Sequence, residues 1–261
     1  MTTTNRTVHL RDDLDLQLAE SGPADAPRAA LVLHGGGGPQ TVAPIVAHLA
    51  QTMRVLAPTV PGWNGAPRPA WLTRVGQLGE LFADLLAREA LRDVLVVGSS
   101  IGGWIACEVA LHAPRGVVGK IVAIDSTGID VPEAPMADFF ALDPRGIAEH
   151  SFHDPARFFV DPATLPPEQI AMRRANMQTL RVFAADDHTL APRLGALATP
   201  ALVLWGESDR VVTPAYGRAL ARAIPAARFE LIAKAGHLPQ LEQPAATFAA
   251  IDAFAAAQAA H

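Results

Sequence analysis

Ser100 stands at the centre of Gly98-Ser99-Ser100-Ile101-Gly102, a Gly-x-Ser-x-Gly pentapeptide between the apolar run Val94-Leu95-Val96-Val97 and a helix-like stretch over residues 104–111. A strand that turns sharply into a helix strains its turn residue, and glycines two before and two after let neighbouring backbone approach without Cβ clashes. The turn side chain is then held at the sheet edge, at the positive end of a helix. A serine hydroxyl so placed is a candidate nucleophile. With six serines and twenty glycines in 261 residues, composition alone yields the pattern about 0.035 times, so chance is a poor explanation. Ser99 does not compete, because Val97 rather than a glycine sits two residues before it.

A serine hydroxyl attacks only when a positioned base takes its proton, and that base needs an orienter. His237 follows the strand pattern at 228–232, on a loop at that strand's carboxyl end. Parallel strands point their carboxyl ends to one edge, so this loop and the Ser100 turn face the same crevice. His9, His48, His112 and His261 read as surface residues, and His150, His153 and His188 fall in an irregular segment. Asp209, just past the strand that ends at Trp205, is the favoured orienter; Asp125, at the end of the preceding strand, is a rival that could reach the same imidazole. A tetrahedral intermediate also needs donors for its negative oxygen. One is the N–H of Ile101, directly after the nucleophile; the other is assigned to Gly36 in His34-Gly35-Gly36-Gly37-Gly38, whose bare backbone lets Gly35 and Gly36 approach a ligand. No Gly-Lys-Ser/Thr follows this run and no Gly-x-Gly-x-x-Gly register exists, so it is not a phosphate cradle.

The elements that must hold these groups alternate between strand and helix. Alternating stretches at 7–10 and 14–18 predict an antiparallel hairpin; apolar runs at 29–33, 54–58, 93–97, 120–124, 201–205 and 228–232 predict strands, the later ones buried on both faces. Helical spacing predicts helices near 42–49, 72–91, 104–112 and 215–223, with a closing helix from about Pro244. The expected fold class is α/β, a doubly wound, mostly parallel sheet. Regularity lapses over 126–197, which is too long for a plain connection. Prolines break it, and it holds six of the ten phenylalanines: Phe139, Phe140, Phe152, Phe158, Phe159 and Phe183. The expected division is a core domain of residues 1–125 and 198–261 with a helical lid at 126–197 over an apolar pocket, Phe139 and Phe140 among its substrate contacts.

Half of the residues are hydrophobic, under a fifth are charged and the net charge is −5. No basic field points to nucleic acid or an anionic membrane surface, and no apolar stretch is long enough to cross a bilayer. The chain starts without an apolar signal segment, and its one cysteine, Cys107, allows no internal disulfide and reads as a buried small hydrophobe. The expectation is a cytoplasmic protein with a small-molecule substrate, and a homo-oligomer stays open. No cluster of His, Cys and carboxylates has ligand spacing, so neither a metal nor an organic cofactor is expected.

Taken together, these motifs resemble the α/β-hydrolase family over essentially the whole chain, with the order nucleophile (Ser100), acid (Asp209), histidine (His237) and loops Val60-Pro61-Gly62-Trp63 and Asp209-Arg210-Val211-Val212-Thr213-Pro214. The resemblance implies a serine hydrolase, with ester cleavage through an acyl-enzyme as the leading reading. Dehalogenases and epoxide hydrolases of the family carry aspartate where Ser100 stands, and the acidic lid of proline-type aminopeptidases has no counterpart here. The specific alternative is the carbon–carbon bond hydrolases of aromatic ring-fission products, whose lid arginine Arg173 would match. Two departures count against it: Leu238 stands where those enzymes usually have tryptophan, and no asparagine occurs between Gly38 and Asn64. Gly35, Phe139, Phe140, Arg173 and Leu238 are the candidate substrate contacts. A different class, a ligand-binding homologue that turns over slowly, also stays open.

Overall fold

The computed structural model describes residues 3–185 and 190–257. Among the described residues, eight strands form one sheet: β1 (Thr3–Arg11), β2 (Leu14–Ser21), β3 (Ala29–Leu33), β4 (Arg54–Pro58), β5 (Val94–Ser99), β6 (Val118–Ile124), β7 (Ala201–Gly206) and β8 (Ala227–Ile232). Their order is β1-β2-β4-β3-β5-β6-β7-β8. The hairpin β1–β2 and the β2–β4 pair are antiparallel, and every pairing from β4 through β3 to β8 is parallel. The helices are α1 (Ala43–Leu49), α2 (Val75–Arg88), α3 (Ile101–His112), α4 (Pro144–Ser151), α5 (Pro155–Phe158), α6 (Pro167–Ala184), α7 (Pro214–Ala223), α8 (Pro239–Glu242) and α9 (Pro244–Ala256). Three of these, α4 to α6, lie in the excursion between β6 and β7.

The central strands read as unbroken apolar runs because both of their faces are covered. β3, β5 and β7 are buried at every position. Period-two alternation divides them between two cores: Leu31, Leu33, Val94 and Val96 pack with α2 and α3, while Ala30, Val32, Leu95 and Val97 pack with α1 and α9. The closing helix buries Thr247, Ala250, Ile251, Phe254 and Ala255, one stripe at helical spacing, and ends at Ala256. Lys120 finishes it by donating to the carbonyls of Phe254, Ala255 and Ala257.

Two features depart from the sequence expectation. The helix after Ser100 starts at Ile101 rather than Trp104, because Gly102 and Gly103, poor helix formers by propensity, are buried in tight packing. In the excursion, prolines begin structure as well as interrupt it. Pro144, Pro155 and Pro167 stand at the first position of α4, α5 and α6, where a missing N–H costs nothing. Asp143 caps α4 by accepting from the Gly146 N–H at 2.7 Å. Among the described residues, no helix is long and apolar enough to cross a membrane.

Candidate active site

Glycine packing fixes the turn at Ser100. A Cβ on Gly98 would lie 2.0 Å from the Gly102 carbonyl oxygen, and one on Gly102 would lie 2.3 Å from that of Leu33. Only hydrogen fits at either position, so α3 is drawn hard against β5 and β3. The turn residue itself is forced to φ 58°, ψ −125°, a left-handed conformation that a serine does not adopt without strain. Its N–H donates to the Ile124 carbonyl at 2.8 Å, tying the turn to the end of β6.

The three chemically distinct groups converge here. His237 Nε2 lies 3.0 Å from Ser100 Oγ, and His237 Nδ1 lies 2.8 Å from Asp209 Oδ2. With Nδ1–H donated to the carboxylate, Nε2 is left as acceptor for the serine proton. The other oxygen of Asp209 accepts the N–H groups of Val211 and Val212 at 2.8 and 3.1 Å, which holds the carboxylate plane. Both His237 and Asp209 are buried. Asp125, the rival acid, sits alongside, but its Oδ1 accepts the Gly206 N–H at 2.9 Å rather than the imidazole. Oxygen and nitrogen atoms of Asp125, Asp209 and His237 fall within 4.8 Å of one another, close enough to hold a cation. Both imidazole nitrogens are already engaged by Asp209 and Ser100, so the arrangement suits proton transfer better than ligation.

The glycine loop is oriented by its own backbone. Gly35 and Gly38 close a turn through Gly38 N–H to Gly35 O at 3.0 Å, and His34 Nδ1 lies 2.8 Å from the same carbonyl. His34 Nε2 accepts the Val60 N–H at 3.0 Å, so Nδ1 carries the hydrogen. Burial lowers the His34 pKa to about 4, keeping the ring neutral. Because a trans peptide points N–H and C=O in opposite directions, pinning the Gly35 carbonyl also aims the Gly36 N–H. The Gly36 carbonyl is held in turn by Trp63 Nε1 at 2.9 Å. A Cβ on Gly35 would come within 2.9 Å of Ser100 Cβ, so the loop touches the serine. The Ile101 N–H, at the first position of α3, has no acceptor within its own helix.

The excursion seats itself around these groups at two places. On one side, α6 covers the glycine loop: Leu180 packs over Gly36, Thr179 donates to the Gly62 carbonyl, Asn176 exchanges two hydrogen bonds with Asn64, and Phe183 stacks on Trp63. On the other, the end of α4 grips the histidine loop, with His237 N–H donating to the Ser151 carbonyl at 2.7 Å. Glu242, which the sequence reading did not single out, binds the two together. Its buried carboxylate accepts the N–H groups of Gly236 (2.6 Å), His153 (3.1 Å) and Asp154 (3.0 Å). Its only trace in the sequence is an acid between Pro239 and Pro244, flanked by Gln240 and Gln243.

The candidate substrate contacts are placed unevenly. Gly35 adjoins Ser100, and Leu238 is half-buried beside His237. Phe139 and Phe140 are half-exposed, edge to face, with the Arg181 guanidinium over the Phe140 ring. Arg173 is exposed on α6, one turn before Asn176. Of the six phenylalanines in the excursion, Phe183 alone is fully buried. Phe152 and Phe158 stack on each other, and arginines cover Phe158 and Phe159. Cys107 is buried and its thiol pushed up to about 12, an inert core residue. His48, expected to be solvated, is half-buried against Phe248, because α9 folds back over α1. His188 and His261 lie outside the described residues.

A doubly wound sheet carrying a serine on a strained strand-to-helix turn, with acid and histidine on later strand ends, defines an α/β hydrolase. The chain matches the alpha/beta hydrolase family over residues 30–251, and it belongs to that family. It is 28% identical to 2-hydroxy-6-oxononadienedioate/2-hydroxy-6-oxononatrienedioate hydrolase 1 of Dechloromonas aromatica, covering 92% of this chain and 91% of that one. It is also 28% identical to pimeloyl-[acyl-carrier protein] methyl ester esterase of Aromatoleum aromaticum, over 82% of this chain and 92% of the relative. Among solved structures, a putative aryl esterase from Burkholderia cenocepacia superposes with a TM-score of 0.76 at 21% identity, covering 96% of this chain and 97% of its own, a likeness of fold.

Proposed function

We propose that the protein is a serine hydrolase that cleaves esters of small, largely apolar substrates through an acyl-enzyme. The observation that carries this reading is the unbroken relay from Asp209 through His237 to Ser100, at 2.8 and 3.0 Å. Ser100 Oγ attacks the ester carbonyl as His237 Nε2 takes its proton, and Asp209 stabilises the imidazolium that forms. The negative oxygen of the tetrahedral intermediate is held by the N–H groups of Ile101 and Gly36. Collapse expels the alcohol, which leaves with the proton from His237. Water, deprotonated by the same nitrogen, then attacks the acyl-enzyme and releases the acid. Residues 126–197 act as the lid, with Leu180 over the oxyanion loop, Gly35 and Leu238 as substrate contacts beside Ser100 and His237, and Phe139 and Phe140 as outlying ones. No metal or organic cofactor takes part in this scheme.

The second reading is carbon–carbon bond hydrolysis of ring-fission products, favoured by the dioate hydrolase of Dechloromonas aromatica among the relatives. Against it stands Arg173, which is solvent-exposed rather than turned in beside Ser100. The test is labelling with a fluorophosphonate followed by turnover of p-nitrophenyl esters and vinylogous diketones. The ester reading expects Ser100 to be labelled and esters to be cleaved, with Ser100→Ala lowering kcat by about 10⁴-fold or more. Cleavage confined to diketones would transfer the assignment to the second reading. Labelling without turnover of either would mark a ligand-binding homologue.

A further inference from the structure

Asp125 is a buried ionisable group that the proposed reaction does not use. It is fully enclosed, and its backbone stands at φ 44°, a left-handed conformation at a strand end that an aspartate adopts at a cost. One carboxyl oxygen accepts the Gly206 N–H; the other, Oδ2, receives no N–H or O–H donor from the described residues. What lies against it is the Asp209 carboxylate: an oxygen of each acid and a ring nitrogen of His237 all fall within 4.8 Å of one another. Two ionised carboxylates cannot share that contact in a dry site, so one proton must lie between them. Asp209 already accepts three N–H donors, from Val211, Val212 and His237, which stabilise its anionic form. The proton therefore belongs to Asp125.

The geometry points to Asp125 as a neutral carboxylic acid that donates its Oδ2 hydrogen to Asp209 and so positions the orienting carboxylate of the triad. This inference rests on the triad reading above. Burial first, then the charge of Asp209, raises the Asp125 carboxyl well above the ordinary carboxylate value of 3.8, and the carboxylate of Glu242 adds to the effect. The titratable groups that face Asp125 are thus Asp209, His237 and Glu242. The device fixes Asp209 from a second strand end, β6, while its own anchor on β7 is the turn at Val211–Val212. It also draws off part of the Asp209 negative charge without adding a second one beside His237.

The test compares the wild-type chain with Asp125→Asn and Asp125→Ala. Asparagine can accept from Gly206 and donate to Asp209, whereas alanine can do neither. The rate of Ser100 labelling by a fluorophosphonate is expected to stay within about threefold of wild type in Asp125→Asn and to fall roughly tenfold or more in Asp125→Ala. Because an amide also refills the volume that alanine vacates, the labelling rates are read together with the melting curves that follow; equal loss in both variants would overturn the proposal. Thermal unfolding against pH gives a second readout that needs no turnover. A carboxyl held protonated in the fold is penalised as pH rises above 3.8, since the unfolded chain can ionise it. The melting temperature of Asp125→Asn is therefore expected to gain on wild type steadily with pH from about 4 upward. A constant difference across that range would show an ordinary carboxylate and refute the assignment. If Ser100 is labelled in none of the three proteins, the triad reading fails, and the melting curves still decide the state of Asp125.

Discussion

The two supports of the candidate triad are built by different physics. The nucleophile side is steric and local: Ser100, its flanking glycines and the ends of β3, β5 and β6 are held by backbone packed against backbone. The histidine side is polar and assembled from afar. His237 is placed by a carboxylate on the next strand end, by the Ser151 carbonyl from α4, and by Glu242 gathering three N–H groups from two segments, at His153–Asp154 and at Gly236, far apart in sequence. The first support has no room to move. The second can be loosened one hydrogen bond at a time. A nucleophile held at strained geometry requires the rigid support, whereas an imidazole that accepts and returns a proton needs only its plane defined.

The sharpest way to break this contrast is a single methyl group on the steric side. Gly102→Ala would set a Cβ 2.3 Å from the Leu33 oxygen and 2.8 Å from the His34 oxygen, both backbone atoms that cannot swing away. The expected loss is more than about 4 kcal/mol, enough to abolish a folded product. Gly195→Ala is the control, because a Cβ there meets nothing within 4 Å, and its effect should stay within about 0.5 kcal/mol. Chemical denaturation of both variants measures the difference, and a folded, active Gly102→Ala protein would show that the turn has slack.

The next effect follows from the neutral His34 beneath the glycine loop. Its pKa is lowered to about 4 from an ordinary 6.5, so across that window the unfolded chain binds a proton that the folded chain refuses. Stability therefore falls as pH drops from 6.5 toward 4 and levels off below, by roughly 3 kcal/mol in total. Protonated His34 would also turn a second N–H toward the Val60 N–H it now accepts. Asp125 contributes a slope of opposite sign, so the measurement is the difference between wild type and His34→Asn, whose side chain does not titrate. A difference curve flat between pH 4 and 6.5 would mean that His34 takes up its proton in the fold as easily as outside it.

The same contrast explains what could be read from the sequence. The sheet, its helices and the Ser100 turn were legible because each is set by contiguous residues: continuous apolar runs for strands buried on both faces, glycine spacing for the turn. Asp209 and His237 were legible because parallel topology sends all strand ends to one edge. Glu242 was not, because its partners Gly236, His153 and Asp154 become neighbours only when the excursion docks. The phenylalanines of that excursion show a different limit. Composition predicted an apolar lining, yet only Phe183 is fully buried, while the others pair with one another or lie under arginines. Apolar content sets how much surface seeks cover, but which ring finds which partner is decided by tertiary packing.

On the polar side, Glu242→Gln is the matching perturbation. The amide nitrogen would face an N–H that the carboxylate now accepts, at a cost of about 1–3 kcal/mol. Displacing the His237 loop even slightly should lower kcat by roughly 10- to 100-fold with little change in KM. Unaltered kcat in a destabilised variant would separate loop stability from imidazole placement and narrow the role of Glu242 to folding.

The smallest effect tests whether α6 belongs to the rigid side or the yielding one. It lies over the glycine loop through Leu180, and among the described residues its polar anchors there are Thr179 to the Gly62 carbonyl and the reciprocal Asn176–Asn64 pair at 2.8 and 3.0 Å. Asn176→Ala removes both halves of that pair and leaves the Asn64 N–H without its acceptor, a loss of about 1 kcal/mol. If α6 yields as the histidine loop does, the variant should keep its melting temperature within a few degrees, show faster proteolysis within residues 167–184, and change KM for long-chain esters more than for acetates. If KM for both shifts equally and kcat falls with it, α6 is part of the oxyanion support itself, and the boundary between the two kinds of scaffold runs through the excursion rather than beside it.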